Sequence, residues 1–261
     1  MMKMSYRIGL LALGGIIGLG LAAPRGEAVK LSGYPLQKAP INLTDTASLQ
    51  RGARTFVNYC MGCHTLQYQR WSELGHRLDL NNRALRELMF LQTKPSEMMT
   101  NAMPALEATR WFGAAPPDLS VIVDEKGSRW VYTYLRSFYV DPRRPTGVNN
   151  AAFYRVAMPD PFWQTQGLQK IVYRKIRRDG GWVYRFVKFA PVTDGTRSPQ
   201  AFQRQVGNLT NFLTAVSHPD ELKRIHLGVW VIAFCVVFTV LAYALKREFW
   251  KDVHRKHPDA K

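Results

Sequence analysis

Tyr59-Cys60-Met61-Gly62-Cys63-His64-Thr65 is the stretch from which the rest of the chain can be read. Upstream, an oxygen-bearing side chain at Asp45 or Thr46 can cap a helix. Leu49, Ala53, Phe56 and Val57 then recur at the spacing of one helical face up to Tyr59. The helix delivers the chain straight into two thiols three residues apart, with an imidazole directly behind the second. Three chemistries use such a pattern. A thioredoxin-like dithiol follows a strand in a βαβ unit, and no parallel-strand pattern adjoins this motif. A zinc site would need a fourth ligand, drawn from His76, His218 or His226. Cys-x-x-Cys-His in full is the pattern that attaches a c-type haem: each thiol adds to one vinyl group of a single porphyrin, and the next residue turns its imidazole to the iron. That reading makes Cys60 and Cys63 the covalent attachment points of one haem c and His64 an axial ligand.

A haem iron that transfers electrons takes a second axial ligand, commonly Met or His. Outside the amino-terminal segment and the motif itself the methionines are Met89, Met98, Met99, Met103 and Met158. Ala102-Met103-Pro104 and Ala157-Met158-Pro159 share a local frame. Met158 lies in a proline-bearing segment whose stiff backbone can aim a thioether, whereas a Met at helical spacing, such as Met89, reads as core filler. Spacing favours Met158 and leaves Met103 open.

Working outward, residues 65–110 read as loop and helix, with the clearest helical run at Arg83 to Leu91. Gly113-Ala-Ala-Pro-Pro-Asp-Leu-Ser120 is a rigid turn, because two prolines forbid regular structure. A helix is expected from Arg129 to Phe138, with Val131, Tyr134, Leu135 and Phe138 on one face. Residues 141–167 hold four prolines and no periodicity, which predicts a long loop. Two β-branched and aromatic runs around Asp179-Gly180-Gly181 predict a hairpin over 170–190. A final helix starts with Ser198 as cap and Pro199 at its first position, and its stripe of Phe202, Val206, Leu209, Leu213 and Val216 carries it to about Val216. The fold class is mainly α, with long loops and at most a small β-hairpin.

Two apolar stretches frame this domain. Lys3 and Arg7 precede an uncharged run ending in small residues, the layout of a signal peptide cut after Ala22 or Ala28. Leu227 to Leu245 is free of charge, close to the roughly 20 residues that cross a hydrocarbon core as a helix. Lys246, Arg247, Lys251, Arg255 and Lys256 crowd its carboxyl side, so the positive-inside rule puts the tail in the cytoplasm and the haem motif on the far side. The expected organisation is a signal peptide over 1–28, an exported haem domain over 29–222, a single-pass anchor helix over 223–247 and a basic cytoplasmic tail over 248–261. Cys235 falls mid-span as a packing or lipid-facing residue.

Lys and Arg number 36 against 19 Asp and Glu, a net charge of +17. Within 29–222 the balance is 25 to 15, so the exported part keeps an excess of ten positive charges. Such a field attracts anionic partners, lipid or acidic protein. Export and dispersed basic residues argue against nucleic acid. Three cysteines exclude a disulfide scaffold and a four-cysteine cluster.

The ordered set of Ser48-Leu-Gln-Arg-Gly-Ala-Arg-Thr-Phe-Val-Asn-Tyr-Cys60, the haem motif, Ala115-Pro-Pro-Asp-Leu-Ser120, Pro145-Thr-Gly-Val148, Val156-Ala-Met-Pro159, Asp194-Gly-Thr196 and the carboxyl-terminal anchor resembles the cytochrome c1 family in its bacterial form. These are the haem-carrying subunits of the ubiquinol-cytochrome c oxidoreductase (cytochrome bc1) complex. The resemblance implies a class I cytochrome c-like domain in the periplasm and a role as an electron-transfer subunit of an oxidoreductase complex, not catalytic alone. It implies an electron taken from the Rieske iron-sulfur protein and passed to a soluble or membrane-attached cytochrome c, with cytochrome b as a further partner. It selects Met158 as sixth ligand, and it suggests Arg110 for a haem propionate, although Trp111 and Phe112 intervene before the turn. A basic domain departs from the acidic surface common in family members that bind basic cytochrome c. A membrane-anchored cytochrome serving another oxidase or reductase is the alternative.

Overall fold

The computed structural model describes residues 34–89, 94–178 and 181–255. The signal peptide expected over 1–28, the Asp179-Gly180 turn and the last residues of the tail lie outside them. About half of the described residues are helical.

Helix α1, Thr46–Tyr59, is capped by Asp45, whose carboxylate accepts from the Ser48 N–H at 2.9 Å. Helix α8, Pro199–Ser217, starts under a Ser198 hydroxyl that accepts from Ala201 N–H at 3.3 Å, with proline where no N–H is needed. The two helices pack on each other through Leu49, Ala53 and Phe56 against Val206, Leu209 and Phe212, with the Phe56 and Phe212 rings 5.9 Å apart. Burying each large apolar side chain contributes roughly 1.5–3 kcal/mol. Polar pins fix the register: Ser48 Oγ donates to Asn208 Oδ1 at 2.8 Å, and Asn211 exchanges hydrogen bonds with the backbone of Asn42 at 2.9 and 2.8 Å. The close approach depends on Gly52, because a Cβ there would run into the Asn208 carbonyl and the Phe212 Cβ.

Between these helices come β1 Leu66–Arg70, α2 Trp71–Arg77, α3 Asn82–Met89, β2 Met98–Met99, α4 Ala105–Phe112, α5 Ile122–Lys126 and α6 Ser128–Leu135. β1 and β2 pair antiparallel. Helix α3 occupies most of the run expected over 83–91, whose last residues are not described. Helix α6 is shorter than the expected 129–138: Arg136 and Ser137 donate to the carbonyls of Thr133 and Tyr134, tightening the last turn before the chain extends.

Residues 141–167, expected as unbroken loop, contain structure held by side chains. Strands β3 Phe138–Val140 and β4 Val148–Asn150 pair antiparallel, and α7 spans Trp163–Gln166. Buried Asp141 accepts from Arg143 Nε at 2.8 Å and Asn149 Nδ2 at 3.1 Å, while Asn150 Oδ1 accepts from Ser137 Oγ and the N–H groups of Ala152 and Phe153. Hydrophobic periodicity carries no trace of such bonds. Strands β5 Gln169–Arg178 and β6 Gly181–Pro191 pair antiparallel, with a register slip between Val172 and Tyr173. Beyond them Asp194-Gly195-Thr196 lies against α7. Thr196 N–H donates to Gln164 O at 2.8 Å, and a Cβ on Gly195 would strike the Thr165 and Gln166 carbonyls.

Helix α9, Glu221–Arg255, differs from α8 in exposing its apolar residues, Trp230, Phe234 and Phe238 among them. Its segment Lys223–Lys251 has a mean hydropathy of 2.5 and, among the described residues, is the one helix long and apolar enough to cross a membrane. At 1.5 Å per residue it rises about 44 Å, beyond the roughly 30 Å of a hydrocarbon core.

Gly52→Ala should overpack the α1–α8 contact at a cost of about 1–3 kcal/mol. For a domain of this size that lowers the melting temperature by roughly 2–12 °C, measurable by circular dichroism on the detergent-solubilised chain. An unchanged melting temperature would show that the two helices can separate without penalty.

Candidate haem site

Cys60 is the C-cap of α1, its N–H donating to Phe56 O at 2.8 Å. The Cys63 and His64 N–H groups then both return to Cys60 O, at 3.0 and 2.8 Å. This turn sets the three functional side chains on one short segment. Cys60 is buried and Cys63 half-buried. Burial foremost, with the neighbouring Cys63 adding to it, pushes the Cys60 thiol up to about 12, so it rests protonated.

His64 is 8% exposed, and its Nδ1 lies 2.7 Å from Pro117 O. A carbonyl can only accept, so Nδ1 carries the proton and Nε2 keeps its lone pair. Burial lowers the imidazole's pKa against the opposing pull of the Pro117 carbonyl and Asp118. A neutral ring with Nε2 as its acceptor nitrogen is the form that ligates a metal.

The Pro-Pro-Asp-Leu-Ser turn explains why that carbonyl is where it is. Asp118 Oδ2 accepts from Thr65 Oγ1 at 2.5 Å and from Gln67 N–H at 2.7 Å, and Oδ1 accepts from Ser120 N–H at 2.9 Å. Leu119 N–H donates to Thr65 O at 2.9 Å. The turn is thus latched to the residues that leave His64. Burial raises the Asp118 pKa, but the hydrogen bonds from Ser120, Thr65 and Gln67 together outweigh it and hold the carboxyl below the ordinary value.

Met158 is half-buried against Phe138, Val148 and Val156, and its sulfur accepts a hydrogen bond from the Tyr134 hydroxyl at 3.3 Å. Met89 and Met99 are core residues. Met103 stands just before α4, its N–H donating to Asn101 Oδ1 at 3.1 Å. Arg110 lies exposed on α4, paired with Glu107 at 2.7 Å. A different arginine stands next to the Met158 segment: Arg144 Nη2 donates to the carbonyls of Arg155 and Val156, both at 3.2 Å. Sequence reasoning missed Arg144 and Tyr134. The tyrosine sits in the apolar stripe of α6 and looked like core, and the arginine sits in a segment with no period.

The residues fit a haem. Trp71 Nε1, Asn101 Nδ2 and Arg144 Nε are buried donors without a hydrogen-bond partner among the described residues. A buried unpaired donor costs about 1–3 kcal/mol, and an anionic carboxylate such as a propionate relieves that cost. Zinc is less well served: among the described residues no group of three or more His, Cys, Asp and Glu side chains gathers to hold a metal ion, and His218 Nδ1 is engaged by Asp124 at 3.3 Å.

A neutral imidazole behind a Cys-x-x-Cys turn, with a half-buried thioether elsewhere in the domain, is the donor set of a c-type haem protein. The chain matches the Cytochrome C1 family over residues 36–253. It is 44% identical over 236 residues to a cytochrome c1 of Allochromatium vinosum, covering 90% of this chain and 96% of that one. It is 37% identical to a protein of Nitrosomonas europaea named ammonia monooxygenase gamma subunit, covering 90% of this chain and 93% of that one. A mitochondrial cytochrome c1 haem protein of Schizosaccharomyces pombe is 29% identical, over 81% of this chain and 69% of its own length. The chain belongs to the cytochrome c1 family, whose members are electron-transfer haem subunits.

Asp118→Asn replaces one carboxylate oxygen by an amide NH2, removing the acceptor of Thr65 Oγ1 and Gln67 N–H, and should destabilise the domain by about 1–3 kcal/mol at pH 7. Because the folded carboxyl titrates below its unfolded value, this contribution is present above the unfolded pKa and is lost as pH falls through the folded one. Urea midpoints of wild type and variant should therefore stay apart above the carboxyl's unfolded value of about 3.9 and draw together below it. A gap that does not narrow at all below that pH would assign the effect to shape rather than charge.

Proposed function

We propose that this protein is the membrane-anchored cytochrome c1 of a ubiquinol-cytochrome c oxidoreductase, with one haem c held covalently by Cys60 and Cys63. His64, through Nε2, and Met158, through its sulfur, would hold its iron. The observation that carries the reading is the Nδ1–Pro117 hydrogen bond, which leaves Nε2 of a buried neutral imidazole as the ligating atom. The haem, when bound, supplies the one-electron couple of its iron. His64 is oriented by Pro117, Met158 is oriented by Tyr134, and Arg144 is the candidate partner of a propionate, in preference to Arg110, which pairs with Glu107. Phe138, Val148 and Val156 keep water from the thioether.

In this reading the domain over 29–222 is class I cytochrome c-like and periplasmic, residues 1–28 are a removed signal peptide, 223–247 anchor the chain, and 248–261 are cytoplasmic. It takes an electron from the Rieske iron-sulfur protein, beside cytochrome b, and hands it to a soluble or membrane-attached cytochrome c. The apolar length of α9 and the lysines and arginines after Leu245 support the anchoring and its direction. The Nitrosomonas relative favours a second reading, a cytochrome serving another oxidoreductase. Purification from native membranes separates the two: a cytochrome b and a Rieske protein copurify in the first and are absent in the second.

Cys60→Ser with Cys63→Ser should abolish haem staining on a denaturing gel, and undiminished staining of the double variant would sink the covalent assignment. Met158→Leu should lower the midpoint potential and admit carbon monoxide, since a thioether favours ferrous iron. Met103→Leu should do neither. Tyr134→Phe should lower the potential by about 20–60 mV, one neutral hydrogen bond converted at 59 mV per tenfold for one electron. If Met103→Leu rather than Met158→Leu admits carbon monoxide, the ligand is Met103.

A further inference from the structure

A cleft of about 440 Å³ lies where the carboxyl half of α1 meets the amino-terminal half of α8. Arg51 and Arg54 line it from α1, and Arg197 and Arg204 from the start of α8, with no Asp or Glu in the lining. All four are exposed, and none is in an ion pair with the described residues. Four guanidinium groups around one concavity repel one another unless an anion sits between them. The amino terminus of α8 adds the positive end of a 19-residue helix to the same cleft. A further polar side chain faces it: Gln205 is 7% exposed and lines the cleft, and its Oε1 is buried without a partner. A half-turn of that amide presents its NH2 to a carboxylate, and as it stands the oxygen can accept a hydrogen bond from a hydroxyl or protonated acid.

Two features say what kind of anion docks here. Tyr59 lines the cleft and immediately precedes Cys60, so whatever occupies it lies one residue from the haem motif. The cleft is also at the end of α8 remote from Ser217, where the chain turns toward α9. From Pro199 to Ser217 the helix rises about 27 Å, which sets the cleft away from the segment that approaches a membrane. Resting on the cytochrome reading above, we propose that the Arg51, Arg54, Arg197 and Arg204 cleft is the docking site for an acidic soluble electron-carrier protein, which inserts carboxylates between the four guanidinium groups. Arginine suits this role because its planar fork engages a carboxylate through two parallel hydrogen bonds. Tyr59, 38% exposed and in ring contact with Phe162 at 5.2 Å, offers an apolar edge beside the charges.

The test uses the full-length protein in detergent and an acidic soluble c-type cytochrome as probe, with binding read by biolayer interferometry across a salt series, independent of electron transfer. Replacing Arg51, Arg54, Arg197 and Arg204 together by Gln should slow association about tenfold at low ionic strength and flatten its salt dependence. The control replaces Arg174, Lys175, Arg177 and Lys188 of β5 and β6, also exposed, by Gln, removing the same charge elsewhere. It should change the rate less than twofold. Equal losses in both variants would mean steering by net charge and overturn the docking site, as would a wild type that fails to bind the probe. Vesicles containing phosphatidylglycerol form a second arm: loss of vesicle binding in the cleft variant would assign the cleft to lipid headgroups and overturn the proposal. The haem spectrum of the wild type is read separately. Its absence removes the cytochrome reading and leaves the binding result standing.

Discussion

The hydrogen bond between His64 Nδ1 and the Pro117 carbonyl joins two parts of the chain 53 residues apart, and most of the site depends on it. It fixes the tautomer and leaves Nε2 as the nitrogen with a free lone pair. It holds only because the carbonyl cannot drift: Pro116 and Pro117 restrict the backbone, and Asp118 ties the turn to Thr65 and Gln67. The orientation of the histidine after Cys-x-x-Cys is therefore set by a rigid turn from a distant part of the chain.

The motif itself is carried by α1, so its position is only as firm as the packing of α1 on α8. Phe56, whose carbonyl receives the Cys60 N–H, is fully buried against Phe212. The last helical turn before the thiols is thus anchored by its own aromatic side chain, and the register with α8 is set by Ser48, Asn208 and Asn211. The lack of a Cβ at Gly52 lets the two backbones come together. The same close contact leaves the outer faces of the two helices to form the arginine-lined cleft, so core packing and surface recognition share a cause.

Legibility from sequence followed how local the cause was. α1 and α8 carry both a side-chain cap and a long apolar stripe, and both signals lie within the segment itself. α2, α4 and α5 have no side-chain cap bond and run only 7, 8 and 5 residues, so tertiary contacts hold them and no local pattern announces them. The β3–β4 pair is specified by Asp141, Asn149 and Asn150, residues that read as loop formers when their partners are unknown. In the candidate site, Cys60, Cys63 and His64 stand out in the sequence because their spacing is that of the Cys-x-x-Cys-His motif. Arg144 does not, because its place beside Val156 is a property of the folded chain.

The two candidate axial ligands belong to different cores. His64 lies between Cys60 and Leu66, both members of the large cluster built on Phe56, Trp71 and Phe212, whereas Met158 packs on the small cluster of Phe138, Val148 and Val156. Tyr134 touches both: it is packed against the large cluster, stacks on Trp130 at 4.8 Å, meets Phe138 edge-on at 5.2 Å and donates to the Met158 sulfur. Its own carbonyl receives Asn150 Nδ2 at 2.8 Å, which ties it to β4. With three apolar side chains against more than twenty, the thioether side is held mainly by polar bonds, and the imidazole side by burial. Local opening begins where buried apolar contact is least. The methionine side is therefore the one that yields first when the fold loosens, and Tyr134 is the residue through which such loosening reaches the rest of the domain.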